Sequence, residues 1–272
     1  MPAAGSAGPR IPGAFGGGVH APPMDPGALL TVCMLVASLL YASVGHAGAS
    51  GYLAAMSFIG VASATMKPTA LILNVVVASI ATVQFLRAGQ FSWRIFWPFA
   101  LGSVPLAFIG SRLPVPPHIY RTLVGIVLGL SALKLLWDSF ARSSQPLVEA
   151  PGRYPHWWVA VLCGAGLGFV AGLTGTGGGI FLSPLLLLMG WGRTVQSGGV
   201  AALFILLNSC AGLLGNVPDP TVLSPWMPLW IAAVIVGGTL GSYLGSRRAP
   251  PPIFKRLLVV VLLIASGKLI FT

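Results

Sequence analysis

The chain has 272 residues, 56% of them hydrophobic and only 7% charged, with a mean hydropathy of +0.89. Soluble domains carry about 25% charged residues, so this composition excludes a soluble globular protein and points to an all-α, polytopic integral membrane protein. The net charge of +11 comes from 15 Lys+Arg against four acids, but the bases are scattered at the ends of apolar runs (Arg87, Arg94, Arg112, Arg121, Arg247, Arg248, Lys255 and Arg256). There they anchor and orient spans and do not form the basic patch that nucleic-acid binding needs.

In chain order, residues 1–26 are rich in Gly, Pro and Ala and lack the basic stretch and short apolar core of a cleaved signal peptide. They are expected to be a disordered tail, and Met24, just before the first span, is an alternative start. Apolar runs then fall near 27–45, 49–64, 68–86, 93–111, 118–137, 156–174, 178–191, 195–214, 226–246 and 253–271. They are continuous rather than alternating, which disfavours a β-barrel, and several approach the roughly 20 residues a spanning helix needs. Cys33, Cys163 and Cys210 lie far apart in these runs, with neither metal spacing nor a disulfide framework.

Two stretches are too long for one span. Residues 28–66 and 154–192 each run 39 residues without Asp, Glu, Lys or Arg. As one helix either would be about 58 Å long, against a hydrocarbon core of roughly 30 Å, so each must turn. The turn signals are Gly45-His46-Ala47-Gly48-Ala49-Ser50-Gly51 and Thr174-Gly175-Thr176-Gly177-Gly178-Gly179-Ile180-Phe181-Leu182-Ser183-Pro184. A helix broken at membrane depth leaves backbone groups unpaired, at several kcal/mol each unless something satisfies them.

The halves repeat. Gly45, Gly48 and Gly60 match Gly175, Gly178 and Gly190, each 130 positions on, and Gly110-Ser111-Arg112 matches Gly245-Ser246-Arg247. Pro116-Pro117 followed by Ile119-Tyr120-Arg121 matches Pro250-Pro251-Pro252 followed by Ile253-Phe254-Lys255-Arg256, and both halves end alike at Lys134-Leu135-Leu136 and Lys268-Leu269-Ile270. Four matches in order indicate an internal duplication. The expected organisation is a first membrane repeat at 27–137, a linker at 138–155 holding Asp138 and Glu149, and a second repeat at 156–272, each with about four spans plus a broken or re-entrant helix. Five crossings per half would place ten bases on one side and five on the other, with both termini outside the cytoplasm. Four crossings would give a nearly even split. The odd count is preferred, and it makes the repeats inverted.

After each break a helix restarts, presenting unpaired N–H groups and a partial positive charge. Two such ends brought together by pseudo-twofold symmetry form an anion site. The candidate binding residues are Gly45, His46, Gly48, Ser50, Asn74, Thr174, Gly175, Thr176, Gly177, Gly178, Gly179 and Asn208, with Ser183 a further hydroxyl. Helix packing is the competing use of such small residues. His46 can donate to the anion or carry a proton, or it can be a neutral imidazole bonded to a carbonyl freed by the break. Asn74 and Asn208 can ligate substrate or bond across helices. Lys67 is expected to snorkel to the interface. A valine at Gly178 is expected to block the site by filling its cavity. With no Asp or Glu in the deeper spans, a carboxylate proton relay or cation site is disfavoured.

Several of these segments resemble the TauE/SafE family of sulfite-exporter-type permeases. They are Gly175-Thr176-Gly177-Gly178-Gly179 followed by Pro184, Lys67-Pro68-Thr69-Ala70-Leu71-Ile72-Leu73-Asn74, Leu206-Leu207-Asn208-Ser209, and the repeated Gly-Ser-Arg loops. The resemblance covers about 28–271. It implies a multi-pass inner-membrane transporter of small sulfur-containing anions such as sulfite, sulfoacetate or related organosulfonates, with no cofactor or metal. Its partners are the lipid bilayer and the anion, and a homodimer is left open. The first half departs from the glycine pattern, with Ala47 and Ala49 opposite Gly177 and Gly179. A passive anion channel needs the same lining and stays open as an alternative. Gly48-Ala49-Ser50-Gly51 is also similar to the serine motif of rhomboid intramembrane proteases. That chemistry needs a histidine base from a later helix, and the only later histidines, His118 and His156, sit at run edges.

Overall fold

The computed structural model describes residues 26–141, 154–192 and 194–247, with isolated positions 263, 266, 267 and 270 beyond them. Nine α-helices lie among the described residues: α1 (Pro26–Ala42), α2 (Ala49–Ile59), α3 (Ser63–Arg87), α4 (Trp93–Arg112), α5 (Pro117–Ala141), α6 (Trp157–Thr174), α7 (Gly179–Leu188), α8 (Thr194–Gly215) and α9 (Met227–Arg247). Five of them, α3, α4, α6, α8 and α9, are long and apolar enough to cross a membrane. With α1 and α2 as shorter apolar helices, the chain is an all-α, multi-pass membrane protein. Residues 1–25 of the tail expected at 1–26, most of the expected linker and most of the last apolar run lie outside the described residues, while Pro26 already opens α1. α5 continues to Ala141, past the linker start expected at 138.

Both long uncharged stretches turn where the glycines stand. α1 ends at Ala42 and α2 begins at Ala49, while α6 ends at Thr174 and α7 begins at Gly179. α2 and α7 have 11 and 10 residues, which is about 17 and 15 Å of helix, half a hydrocarbon core. All three sequence-matched glycine pairs adopt left-handed backbone: Gly45 and Gly175 at φ 79 and 77°, Gly48 and Gly178 at 106 and 75°, Gly60 and Gly190 at 82 and 65°. An L-residue with a side chain would pay about 1–2 kcal/mol there, which is why glycine stands at both ends of each short helix.

Glycine also sets how closely the long helices approach. On α6, a Cβ built at Gly164, Gly168 or Gly172 would lie 2.1–2.2 Å from the carbonyl oxygens of Phe99, Ser103 and Ala107 on α4. On α9, a Cβ at Gly237, Gly241 or Gly245 would lie 1.9–2.4 Å from the carbonyls of Leu35 and Leu39 on α1 and of Ser43 just past its end. Lipid tails are as apolar as leucine, so close backbone approach and dispersion hold these pairs together. In both seams the contacts climb in the same direction along the two chains, so α4 runs parallel to α6, and α1 to α9. α3 and α8 instead run antiparallel: Leu71 meets Gly212, Asn74 meets Ser209, and Phe85 meets Gly198 and Gly199. Outward-facing apolar side chains such as Leu101, Leu162 and Leu214 form the lipid-facing surface.

Candidate functional site

The two breaks meet. His46, buried between α1 and α2, places Nδ1 3.1 Å from the Val44 carbonyl oxygen and Nε2 3.1 Å from the carbonyl oxygen of Gly179, the first residue of α7. The ring therefore contacts a carbonyl freed in its own break and another at the far break, 133 residues away. Behind it, Gly45 packs its backbone on that of Gly198 in α8, where a Cβ would lie 2.3 Å from the Gly198 oxygen. The Tyr52 hydroxyl donates to the Ala47 carbonyl at 2.6 Å, fixing the chain just before Gly48.

The restarted helices are open at their N-termini. α2 starts after Gly48 with no side-chain cap, and its first return bond is from the Tyr52 N–H to the Gly48 carbonyl. The N–H groups of Ala49, Ser50 and Gly51, and those of Gly179 and Ile180, find no acceptor among the described residues. Both ends carry the partial positive charge of a helix N-terminus, and the His46–Gly179 contact brings them together.

Polar side chains from α3 and α8 line the second break. The Asn74 amide lies 3.4 Å from the Ser209 hydroxyl, and its Nδ2 is 3.1 Å from the place a Cβ would occupy on Gly177. The Asn74 Oδ1 has no partner among the described residues although the side chain is fully buried. Exchanging the amide oxygen and nitrogen puts Oδ1 beside Gly177, where it accepts from Ser209, and leaves the NH₂ on the other side as the unsatisfied buried group. Asn208 approaches the same glycine, its Nδ2 3.5 Å from the Gly177 carbonyl oxygen, and its Oδ1 accepts from Ser103 of α4. Thr174 and Thr176 hydroxyls lie 3.0 Å apart, and the Tyr120 hydroxyl of α5 donates to the Thr174 carbonyl at 3.2 Å.

Not every expected site residue faces this centre. A Cβ at Gly178 would meet Phe204, Ala171 and the Leu167 carbonyl at 3.1–3.3 Å, so a valine there overpacks α6 and α8 and does not simply fill a ligand cavity. Gly177 is the glycine whose missing side chain faces Asn74 and Ser209. Gly175 packs against Lys67, Ser183 donates to the Ser197 carbonyl, and Ser50 is buried in the first turn of α2. Lys67 does not behave as a free snorkelling lysine. Its Nζ donates to the Ser111 carbonyl at the end of α4, 3.1 Å away, and its stem lies on Gly175, so it borders the second break and not only the first. Ser103 escaped the sequence reading, and Ser209 entered it only as the end of the Leu206-Leu207-Asn208-Ser209 segment, with no role. A lone serine carries no spacing signal, and only the helix crossings place these two beside the asparagines. The Gly-x-x-x-Gly-x-x-x-Gly spacing on α6 and α9 was visible, but its use as two helix seams depends on which partner each helix meets.

His46 lies against the Val44 and Gly179 carbonyls, and the two later histidines, His118 and His156, are exposed at the ends of α5 and α6.

Residues 29–269 match the family described as Sulfite exporter TauE/SafE. The chain belongs to this family. It is also 38% identical over 249 residues, covering 91% of this chain and all of the relative, to a protein of Sinorhizobium fredii (strain NBRC 101917 / NGR234) described as "Probable membrane transporter protein y4hK". No solved structure matches it significantly. Family and relative agree with a membrane transporter.

Proposed function

We propose that this transporter carries a small sulfur oxyanion, such as sulfite, sulfoacetate or a related organosulfonate, at a site where the two glycine-rich breaks meet near the bilayer midplane. The observation that carries the reading is the His46–Gly179 contact, which joins two uncapped helix starts. Buried amides from α3 and α8 converge on Gly177 beside it. An oxyanion with three oxygens can accept from several N–H groups at once, and helix N-termini supply such donors with favourable dipoles. The lone carboxylate whose side chain is described, Asp219, lies exposed in the loop between α8 and α9, away from the centre where an anion would sit.

The cycle is alternating access between two inverted halves. Three observations support it. The equivalent helices α3 and α8 run antiparallel, and the pairing of α1 with α9 mirrors that of α4 with α6. Left-handed glycines also recur at equivalent positions. Because α1 packs on α9 and α4 on α6 across the halves, the bodies that would rock are the α1–α9 and α4–α6 pairs, about the α3/α8 contact, opening the breaks to each side in turn.

Uptake of radiolabelled sulfite into proteoliposomes tests this reading. A saturable flux accelerated by an imposed proton gradient is expected. Single-channel currents in planar bilayers would instead establish a passive pore, and absence of both flux and binding across sulfite, sulfoacetate and methanesulfonate would sink the substrate class.

A further inference from the structure

We infer that Lys67 is the cation that neutralises the transported anion and sets the preference for charged over neutral substrates. This rests on the reading of the second break as an anion site. Lys67 stands on the second turn of α3, a spanning helix. Asn74 follows seven residues later, two helical turns on, so the two share a face, separated by about 10 Å along the axis. That face lies along the second break: Lys67 Cγ is 3.1 Å from the Cβ position of Gly175, and Asn74 Nδ2 is 3.1 Å from that of Gly177. α3 thus lays the stem of a lysine and an amide beside successive glycines of the loop that precedes α7.

The Lys67 ammonium is under-coordinated. It has three N–H donors and one acceptor, the neutral Ser111 carbonyl, and no carboxylate pairs with it among the described residues. A half-buried cation in a spanning helix normally pairs with an acid or with backbone carbonyls, or lines a substrate path, because it is costly otherwise, and the single Ser111 carbonyl leaves two of the three Lys67 donors for another partner. The other cations at this end have neutral partners of their own. Arg121 Nε donates to the Ser63 hydroxyl at 3.2 Å, and the Arg112 guanidinium lies 5.1 Å from the centroid of the Phe108 ring. Lys67 is the member of this group whose stem touches the break. Its ammonium rests on the α4 C-terminal carbonyl, and its flexible four-carbon stem lets it turn toward an anion arriving at Gly175–Gly177.

The two halves differ here. In the first half, Gly45 packs on Gly198 of α8; in the second, Gly175 packs on Lys67 of α3. One break therefore meets bare backbone and the other meets the stem and backbone of a lysine whose ammonium lies at the Ser111 carbonyl.

The alternative is a purely structural role, with Lys67 holding the end of α4. Lys67→Gln separates the two, because it keeps a donor for the Ser111 carbonyl and removes the charge. The probes are methanesulfonate and its neutral isostere dimethyl sulfone, with sulfite as reference, and binding is measured by calorimetry on purified full-length protein. Wild type is expected to prefer methanesulfonate over the sulfone by at least 100-fold. Lys67→Gln is expected to weaken sulfite and methanesulfonate tenfold or more, to leave the sulfone within twofold, and to melt near wild type. Lys67→Arg is expected to stay within threefold of wild type for both anions. If Lys67→Gln is not monodisperse, Lys67→Met gives the same comparison. Wild-type sulfite binding with unchanged charge discrimination in the neutral variant would overturn the inference while leaving the anion site standing. Failure of wild type to bind either anion would overturn both.

Discussion

Gly168→Ala is a direct test of the seam that positions the Asn208 arm of the site. A Cβ at Gly168 would lie 2.1 Å from the Ser103 carbonyl oxygen, 2.6 Å from its Cα and 2.7 Å from its carbonyl carbon, where ordinary contact begins at 3.4 Å. α4 and α6 must therefore part by about 1.3 Å at this level (3.4 minus 2.1). No side chain can yield instead, because the obstructing atoms are backbone. Gly164 and Gly172, one turn to either side, hold equally close approaches to Phe99 and Ala107, so a tilt that relieves one level strains another. Overpacking of this kind costs about 1–3 kcal/mol, against about 1 kcal/mol gained from alanine's helix propensity. Ser103 also holds Asn208, so its displacement loosens an amide that reaches Gly177. The control is on the same helix: Gly166 has nothing within 4 Å of a built Cβ. Thermal melting followed by size-exclusion chromatography in detergent is expected to show Gly166→Ala at or slightly above wild type and Gly168→Ala lower by roughly 5 °C, with reduced sulfite flux. Equal melting of the two alanine variants would refute the close approach of α4 and α6.

Gly177→Ala and Gly178→Ala both place a side chain at left-handed φ, 74 and 75°, and are expected to lose about 1–2 kcal/mol each from the backbone, with a further loss at Gly177, where a Cβ would lie 2.7 Å from Ile205. Only the first intrudes on Asn74 and Ser209, so anion affinity measured by calorimetry is expected to fall clearly further for Gly177→Ala; equal losses would remove Gly177 from the site. His46→Ala leaves the Val44 and Gly179 carbonyls without the ring and is expected to cost about 1–3 kcal/mol and most of the flux. His46→Gln, which keeps a donor, is expected to recover part of the melting temperature. No change in either variant would show that the two breaks are joined by other contacts.

Membrane character, the all-helical class and the positions of both breaks were legible in the chain, because each follows from local chemistry. Uninterrupted apolar runs of fixed length leave no other fold, and paired glycines mark the two places where uncharged stretches outrun the bilayer. The repeat of Gly45, Gly48 and Gly60 at Gly175, Gly178 and Gly190 foretold three pairs of left-handed turns. Which groups those turns meet was not legible. Gly178 stood in the middle of the glycine run yet faces Phe204 and Ala171, while its neighbour Gly177 faces the polar side chains. One residue of rotation separates packing from binding, and no local signal encodes it. Lys67 borders the first break in sequence and lies on the second in space. His46 was open between ligand contact and a bond to a freed carbonyl, and it contacts two carbonyls, one from each break.

The sequence by itself determined that the chain spans a membrane as helices and that it breaks twice, since water-to-lipid transfer and backbone pairing act residue by residue. Only the tertiary structure decided that the breaks touch, and that the glycines of α6 and α9 are spent on α4 and α1. It also decided that a lysine without a carboxylate partner among the described residues lies beside the second loop. Those facts depend on helix crossing and rotation, which are fixed by the sum of many weak contacts across the whole bundle and not by any one segment.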